Sequence, residues 1–321
     1  MNDKYYIGID IGGTKCAVIA GTTSMEILDK IKFPTETDKG PEYTLNNINN
    51  NLENLISKFG KSDLKAIGIS CGGPLDSKRG IILSPPNLPG WDNIHITDLI
   101  EDKFNIRVNL QNDANAGALA EWKFGAGKGT ENMIFITFGT GLGAGLILNN
   151  KLYTGTNDLA GEIWNIRLAE DGLEPIGKKG SFEGFCSGSG IARLGQKIIS
   201  DKINNGISVP FCSHLNEISE ITTKLLAEEA IKGDETAIEI FNISAEYLGR
   251  GLSILIDVLN PEKIVIGSVY ARNPQLFKST CQKVLKEEAL EPARNVCEIV
   301  PSALGDQVGD YASLSVAMLI E

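Results

Sequence analysis

The sequence predicts an α/β fold built from two similar halves. Three observations carry this: strand-like runs that end in glycine turns, helical stretches between them, and a return of the opening pattern in mid-chain. "YYIGIDI", "KCAVIAG" and "MEILDKIKF" read as successive short strands with turn signals between them. Residues 41–59 place apolar side chains at helical spacing. "KAIGISCGG" is a strand ending in glycines, "IRVNLQND" another, and "ANAGALAEWKFG" a helix closed by Gly125. After "GAGKGTEN", the run "MIFITFGTGLGAGLILNNKLYTG" repeats strand, glycine turn, strand, turn and strand, with Gly139-Thr140-Gly141 where Ile11-Gly12-Gly13 stand. A long helical region covers roughly 188–204 and 218–258, then come strands in "KIVIGSV" and "CEIVPSAL" and a closing helix in "DYASLSVAMLI". Such a repeat implies two α/β halves with ligands held in the crevice between them. The expected domains are a small N-terminal one over 1–119 and a larger one over 120–305, with the closing helix, about 306–321, packing back on the first.

Composition narrows the function classes. The 321 residues, 42% hydrophobic and 22% charged, are those of an ordinary globular protein. A net charge of −11 argues against a nucleic-acid or anionic-membrane surface, where Lys and Arg neutralise phosphates. The six cysteines form no C-x-x-C, and Cys16, Cys71 and Cys186 read as buried free thiols. No signal peptide or long apolar span is apparent, so the cytoplasm is the expected compartment. His95 and His214 lie outside the glycine- and carboxylate-rich stretches and are expected at the surface. A general base in this chain is therefore expected to be a carboxylate.

"IGIDIGGTK" joins an acid, Asp10, to a glycine turn that matches neither the Walker A loop nor G-x-G-x-x-G. "FGTGLGAG" also fails G-x-G-x-x-G, and "GAGKGT" fails Walker A because Gly129 follows Lys128. Each turn alone fits an ordinary hairpin. Two in matching positions of repeated halves fit a phosphate chain clasped from both sides by backbone N–H groups, with Thr14, Lys15 and Thr140 as added donors. Asn112 and Asp113 stand where a strand gives way to a helix. They read either as a helix N-cap or as a general base near a helix's positive end.

Taken together, "YIGIDIGGTK", "GISCGGPLDSKRG", "NDANAGALAEWKFGAGKG", "FITFGTGLGAGLILNNKLYTG" and "DLAGEI…AEDG…GSFEGFCSG" resemble, in order, the ROK proteins, sugar kinases and regulators of the actin-like ATPase superfamily. The resemblance covers nearly the whole chain. It implies two actin-like, ribonuclease-H-like α/β domains with the active site in the cleft between them. It also implies transfer of the ATP γ-phosphoryl group to a hexose 6-hydroxyl with Mg²⁺, in a homodimer or homotetramer. Glucose is the first expected substrate, with N-acetylmannosamine, fructose and allose as alternatives. Asp113 matches the family's catalytic base. Asn112, Gly72, Glu162 and Glu183 match sugar-binding positions, and Asn165 stands where the family has a sugar-orienting His. Asp10 matches the acid beside the metal–nucleotide phosphates, expected to hold Mg²⁺ through water. Gly12, Gly13, Thr14 and Lys15 fall in the first phosphate turn, Gly139, Thr140 and Gly141 in the second. Gly267 and Ser268 fall on the adenosine side, Ser268 replacing a common second glycine.

The departures from the family pattern are local. The family's zinc site needs a His and three cysteines; here Asn165 replaces the His, and the cysteine positions fall on Glu174, Ile176 and Ser181. This set lacks the ligands tetrahedral zinc prefers, so no structural zinc is expected. Trp164, in place of a family Gly, would stack on a sugar face or, as the favoured reading, fill core volume. Regulators of the family carry a helix-turn-helix before the first glycine turn. Only six residues precede "IGIDIGGTK" here, so a repressor is not expected. A sugar-binding pseudokinase is opposed by the intact Asp10, Asp113 and phosphate turns.

Overall fold

The computed structural model describes residues 4–174 and 177–320. The chain forms two compact units, Met1–Glu131 with Gly145–Ala160 and Ala303–Glu321, and Asn132–Ala144 with Gly161–Ser302.

In the first unit, β1 (Tyr5–Ile11), β2 (Lys15–Thr22), β3 (Ile27–Pro34), β4 (Leu64–Cys71) and β8 (Val108–Asn112) form a sheet ordered β3-β2-β1-β4-β8. The β1–β2–β3 run is antiparallel, whereas β4 and β8 continue it in parallel from β1. Alternation along β1 sends Tyr5, Ile7, Ile9 and Ile11 to one face and Tyr6 to the other. The first face packs against α1 (Pro41–Phe59) through Ile48, Leu52 and Leu55, and against α2 (Ile96–Phe104) through Ile100 and Phe104. α2 and a small sheet of β5 (Leu75–Asp76), β6 (Ile81–Ile82) and β7 (Ile94–His95) were not anticipated; two-residue strands carry no periodicity. α3 (Asp113–Phe124) follows β8, and the hairpin of β10 (Ala144–Leu148) and β11 (Lys151–Tyr153) is antiparallel.

The closing helix α11 (Val308–Ala317) covers the other face, with Leu314 and Ala317 beside Tyr6, Ile19 and Ala66. The glycines of β1 and β4 let it come this close. A Cβ at Gly68 would lie 2.1 Å from the Ala317 nitrogen and 2.4 Å from the Ser313 oxygen, and one at Gly8 would lie 2.3 Å from Ser313 Oγ. The opposing atoms at Gly68 are backbone, so relief requires a helix shift. Overpacking costs about 1–3 kcal/mol or more, so Gly68→Ala is expected to lower Tm by about 5 °C or more in a thermal melt. An unchanged Tm would contradict this packing.

In the second unit, β9 (Met133–Ile136), β12 (Lys263–Ile266) and β13 (Glu298–Pro301) are parallel, with β12 central. The anticipated repeat of strand, glycine turn, strand, turn and strand appears as β1-β2-β3 and β9-β10-β11, and the order β9-β12-β13 matches β1-β4-β8, a parallel core common to both units. α4 (Phe182–Phe185), α5 (Gly188–Asn204), α6 (Thr223–Lys232), α7 (Glu235–Leu259), α8 (Ser268–Arg272), α9 (Gln275–Glu288) and α10 (Glu291–Val296) complete the unit. The helical region expected over 218–258 breaks at Gly233, which is left-handed (φ 95°), and restarts at Asp234, whose carboxylate accepts from Ala237 N at 2.9 Å. Buried Phe277 on α9 meets Phe138, Phe241 and Tyr270 with ring centroids 5.4–5.5 Å away.

Candidate active site

The first unit holds one group of expected residues at the carboxyl end of β1. Beyond Asp10, Gly12 N donates to Lys15 O at 3.1 Å, Thr35 N donates to Thr14 O at 3.0 Å, and Thr35 Oγ1 donates to Gly12 O at 2.5 Å. Neither Gly12 nor Gly13 has a positive φ, so backbone angle is not why glycine stands there. The reason is space: a Cβ at Gly13 would lie 2.5 Å from the Asn87 oxygen. A Cβ at Gly72 would lie 3.3 Å from Asn87 Oδ1. Asn87, which drew no attention in the sequence, thus backs both turns. Thr14 and Lys15 are exposed.

Burial pushes the Asp10 carboxyl up to about 6, helped by Asp113 and Asp310 and opposed by Lys30 and Lys15. Asp310 is buried on α11 and ion-paired with Lys30 of β3. A Cβ at Gly309 would lie 3.2 Å from Asp10 Oδ2. Lys30 and Asp310 escaped the sequence reading; the available signal was one acid within the apolar run "DYASLSVAMLI".

At the β8–α3 junction the N-cap falls to Asn112 and not to Asp113. Asn112 is the N-cap: its Oδ1 accepts from Asn115 N at 2.7 Å, leaving the Nδ2 group as the part that can reach a ligand. Asp113 opens the helix with an exposed side chain, and its Oδ1 accepts from Ala114 N at 2.8 Å. "GAGKGT" has a structural role. Buried Glu121 accepts from Ala126 N at 2.8 Å and, ahead of α11, from Leu304 N at 3.1 Å.

The second unit holds the other group. Again, neither Gly139 nor Gly141 has a positive φ. The turn's carbonyls are held from α5: Gly188 N donates to Gly139 O at 2.7 Å, and Ser189 N and Oγ donate to Thr140 O at 3.2 and 2.8 Å. Glu183, 8% exposed, accepts from Leu142 N through Oε2 at 3.0 Å, and a Cβ at Gly141 would lie 2.9 Å from that oxygen. A Cβ at Gly139 would meet only Ser268 Oγ within 4 Å, at 3.8 Å. Gly139, Thr140 and Ser268 border a cavity of about 670 Å³, with Lys224, Glu228 and Arg272 also in its wall. Gly267 lies just behind, at the end of β12. Ser268 adopts φ 49°, a left-handed conformation that glycine takes more readily, so the serine retains the backbone geometry that a glycine would supply.

Glu162 is exposed and accepts from Trp164 Nε1. Trp164 is half-buried. The expectation that it fills core volume is therefore corrected: its indole orients a carboxylate. Asn165 is exposed in the short 3-10 turn Ile163–Asn165, its carbonyl accepting from Lys178 Nζ at 2.5 Å. Of the former cysteine positions, Ser181 caps α4 through Gly184 N at 3.3 Å, and Ile176 lies outside the described residues. Among the described residues no group of three or more His, Cys, Asp or Glu is placed to hold a metal ion. His95 and His214 are exposed, and Cys16, Cys71 and Cys186 are buried free thiols. No helix among the described residues is long and apolar enough to cross a membrane.

Residues 6–317 match the ROK family model. The chain is 32% identical over 313 residues to a glucokinase of Halalkalibacterium halodurans, covering 96% of this chain and 93% of that protein. It is 28% identical over 286 residues to a xylose repressor of Caldicellulosiruptor bescii, covering 88% of this chain and 70% of the repressor. It superposes with a TM-score of 0.78 on the crystal structure of a ROK family glucokinase from Streptomyces griseus in complex with glucose and AMPPNP, at 29% identity, covering 98% of this chain and 99% of that one. These likenesses give the chain a two-domain actin-like α/β fold.

Proposed function

Since the chain belongs to the ROK family, we propose that it is an ATP-dependent hexose kinase that phosphorylates the sugar 6-hydroxyl, with glucose as first substrate. The observation that carries this reading is the pair of unlike acids in the first unit. Asp10 is half-buried with a raised pKa, and Asp113 is exposed at the positive end of a helix. Phosphoryl transfer needs one acid to manage the metal's waters and another to accept the hydroxyl proton.

In this reading the O6–H bond breaks toward an Asp113 carboxylate oxygen as O6 bonds to the γ-phosphorus and the bond to ADP breaks. Asn112, through Nδ2, joins Gly72, Glu162, Asn165 and Glu183 in holding the sugar hydroxyls. Glu183 also braces the second phosphate turn through Leu142 N. Gly12, Gly13, Thr14 and Lys15, with Gly139, Thr140 and Gly141, take the phosphates. Ser268, with Gly267 behind it, faces the adenosine. Mg²⁺ keeps most of its waters and takes few carboxylates, which suits Asp10 as its holder. When bound it neutralises phosphate charge. The proposed setting is cytoplasmic, in a homodimer or homotetramer.

The likeness to xylose repressors favours a second reading, a sugar-binding regulator without kinase activity. A coupled ADP-release assay with Mg²⁺, ATP and a panel of hexoses that includes glucose, N-acetylmannosamine, fructose and allose separates the two. Sugar-dependent ADP release is expected, strongest with glucose. Folded protein that binds a sugar but releases no ADP with any of them would support the regulator.

A further inference from the structure

A second cavity, of about 750 Å³, lies across α8 from the one beside Gly139. Ser268, Val269 and Arg272 line the first cavity and Tyr270 lines the second, as expected from the 100° step between helical residues. Ile256, Tyr270, Leu285 and Ile299 give the second cavity apolar and aromatic walls. Lys278, Lys286 and Arg294 also line it. Among the described residues, neither lysine is within salt-bridge range of an acid. Arg294 donates to the Leu285 and Lys286 carbonyls at 3.4 and 3.2 Å, contacts that hold the guanidinium without neutralising it. Glu298, the carboxylate in the wall, is paired with Lys263 at 3.2 Å. Three uncompensated cations around an apolar pocket stand out in a chain whose net charge is −11.

We propose that this cavity binds an organic anion with an apolar or aromatic body, and that its occupancy weakens nucleotide binding through α8. The cations meet the anionic head, while Tyr270, Leu285 and Ile299 cover the body. α8 spans five residues and has no side-chain cap, so its position is set by what packs on either side. A ligand against Tyr270 presses the helix toward Ser268 and Arg272. The binding site stands by itself; the effect on ATP rests on the nucleotide reading of the first cavity.

Anilinonaphthalene sulfonate, an aromatic monoanion, is the probe. Fluorescence titration of the full chain is expected to show saturable binding, which Lys278→Glu/Lys286→Glu weakens about tenfold through charge reversal alone. Both lysines are exposed, so the variant is expected to keep the native circular dichroism and the basal kcat. Saturating probe is expected to raise KM for ATP and the Kd of a non-hydrolysable ATP analogue about fivefold with kcat unchanged, and the analogue to weaken probe binding by the same factor as its own Kd, because linkage between binding constants is reciprocal. Absent binding, or equal binding by the variant, overturns the site. Binding that leaves KM for ATP unchanged overturns the coupling. Complete displacement of the probe by the analogue in both proteins places it in the first cavity and overturns the proposal. The titration needs no turnover, so a chain that phosphorylates no hexose leaves the test of the site intact.

Discussion

Asp113→Asn is expected to lower kcat about a thousandfold, the middle of the range that general-base removal spans, while sugar affinity changes little. The structure isolates proton acceptance in this substitution. Asp113 Oδ1 accepts from Ala114 N at 2.8 Å, and an asparagine oxygen can keep that bond. The N-cap itself belongs to Asn112, which is untouched. The amide lacks a carboxylate's basicity and cannot take the hydroxyl proton. Single-turnover phosphorylation and calorimetric sugar titration measure the two quantities separately. Retained phosphorylation would remove Asp113 as the base, and parallel loss of rate and affinity would make it a binding residue instead.

Asp10→Asn is expected to move activity and stability in opposite directions. The carboxyl titrates near 6 in the folded chain against 3.8 for the ordinary side chain, because burial and the neighbouring acids disfavour its charge. Between these values the folded state binds more proton than the unfolded one. Stability therefore rises as pH falls from about 6 toward 3.8 and is lost again as pH climbs. At pH 7.5, without metal or nucleotide, the neutral amide is expected to stabilise the chain by about 2 kcal/mol, less than the full linkage value because Asp10 is only partly buried. The difference should close near pH 4. Activity should fall about a hundredfold or more through loss of charge at the phosphates. Differential scanning fluorimetry from pH 4 to 8 gives the stability profile. A variant less stable than the parent at pH 7.5 would contradict a penalised Asp10.

The order of strands and helices in each half and both glycine turns were legible because apolar runs and glycines carry local signals, whereas the parallel pairing of β1-β4-β8 and β9-β12-β13 was not. The purpose of the glycines was not legible. An ordinary hairpin would account for them by backbone angle, yet Gly12, Gly13, Gly139 and Gly141 all lack a positive φ. What excludes a side chain at Gly13 is the Asn87 backbone, and one at Gly141 would have to displace the Glu183 carboxylate; both partners are distant in sequence. Likewise Lys30 and Asp310 pair across 280 positions. No local pattern reports such a contact. The Asn112-Asp113 junction was legible as two readings; the fold gives the cap to Asn112 and leaves the Asp113 carboxylate exposed. Trp164 was misjudged because indole volume is visible in sequence, whereas its hydrogen bond to Glu162 is not.

Phosphorus NMR of the full chain with Mg²⁺, ATP and the best hexose of the panel tests the central claim most directly. A hexose 6-phosphate resonance should grow in step with loss of the ATP γ-phosphorus, and the same mixture without sugar should be static. ATP left intact, or inorganic phosphate appearing with no sugar phosphate, would contradict the account.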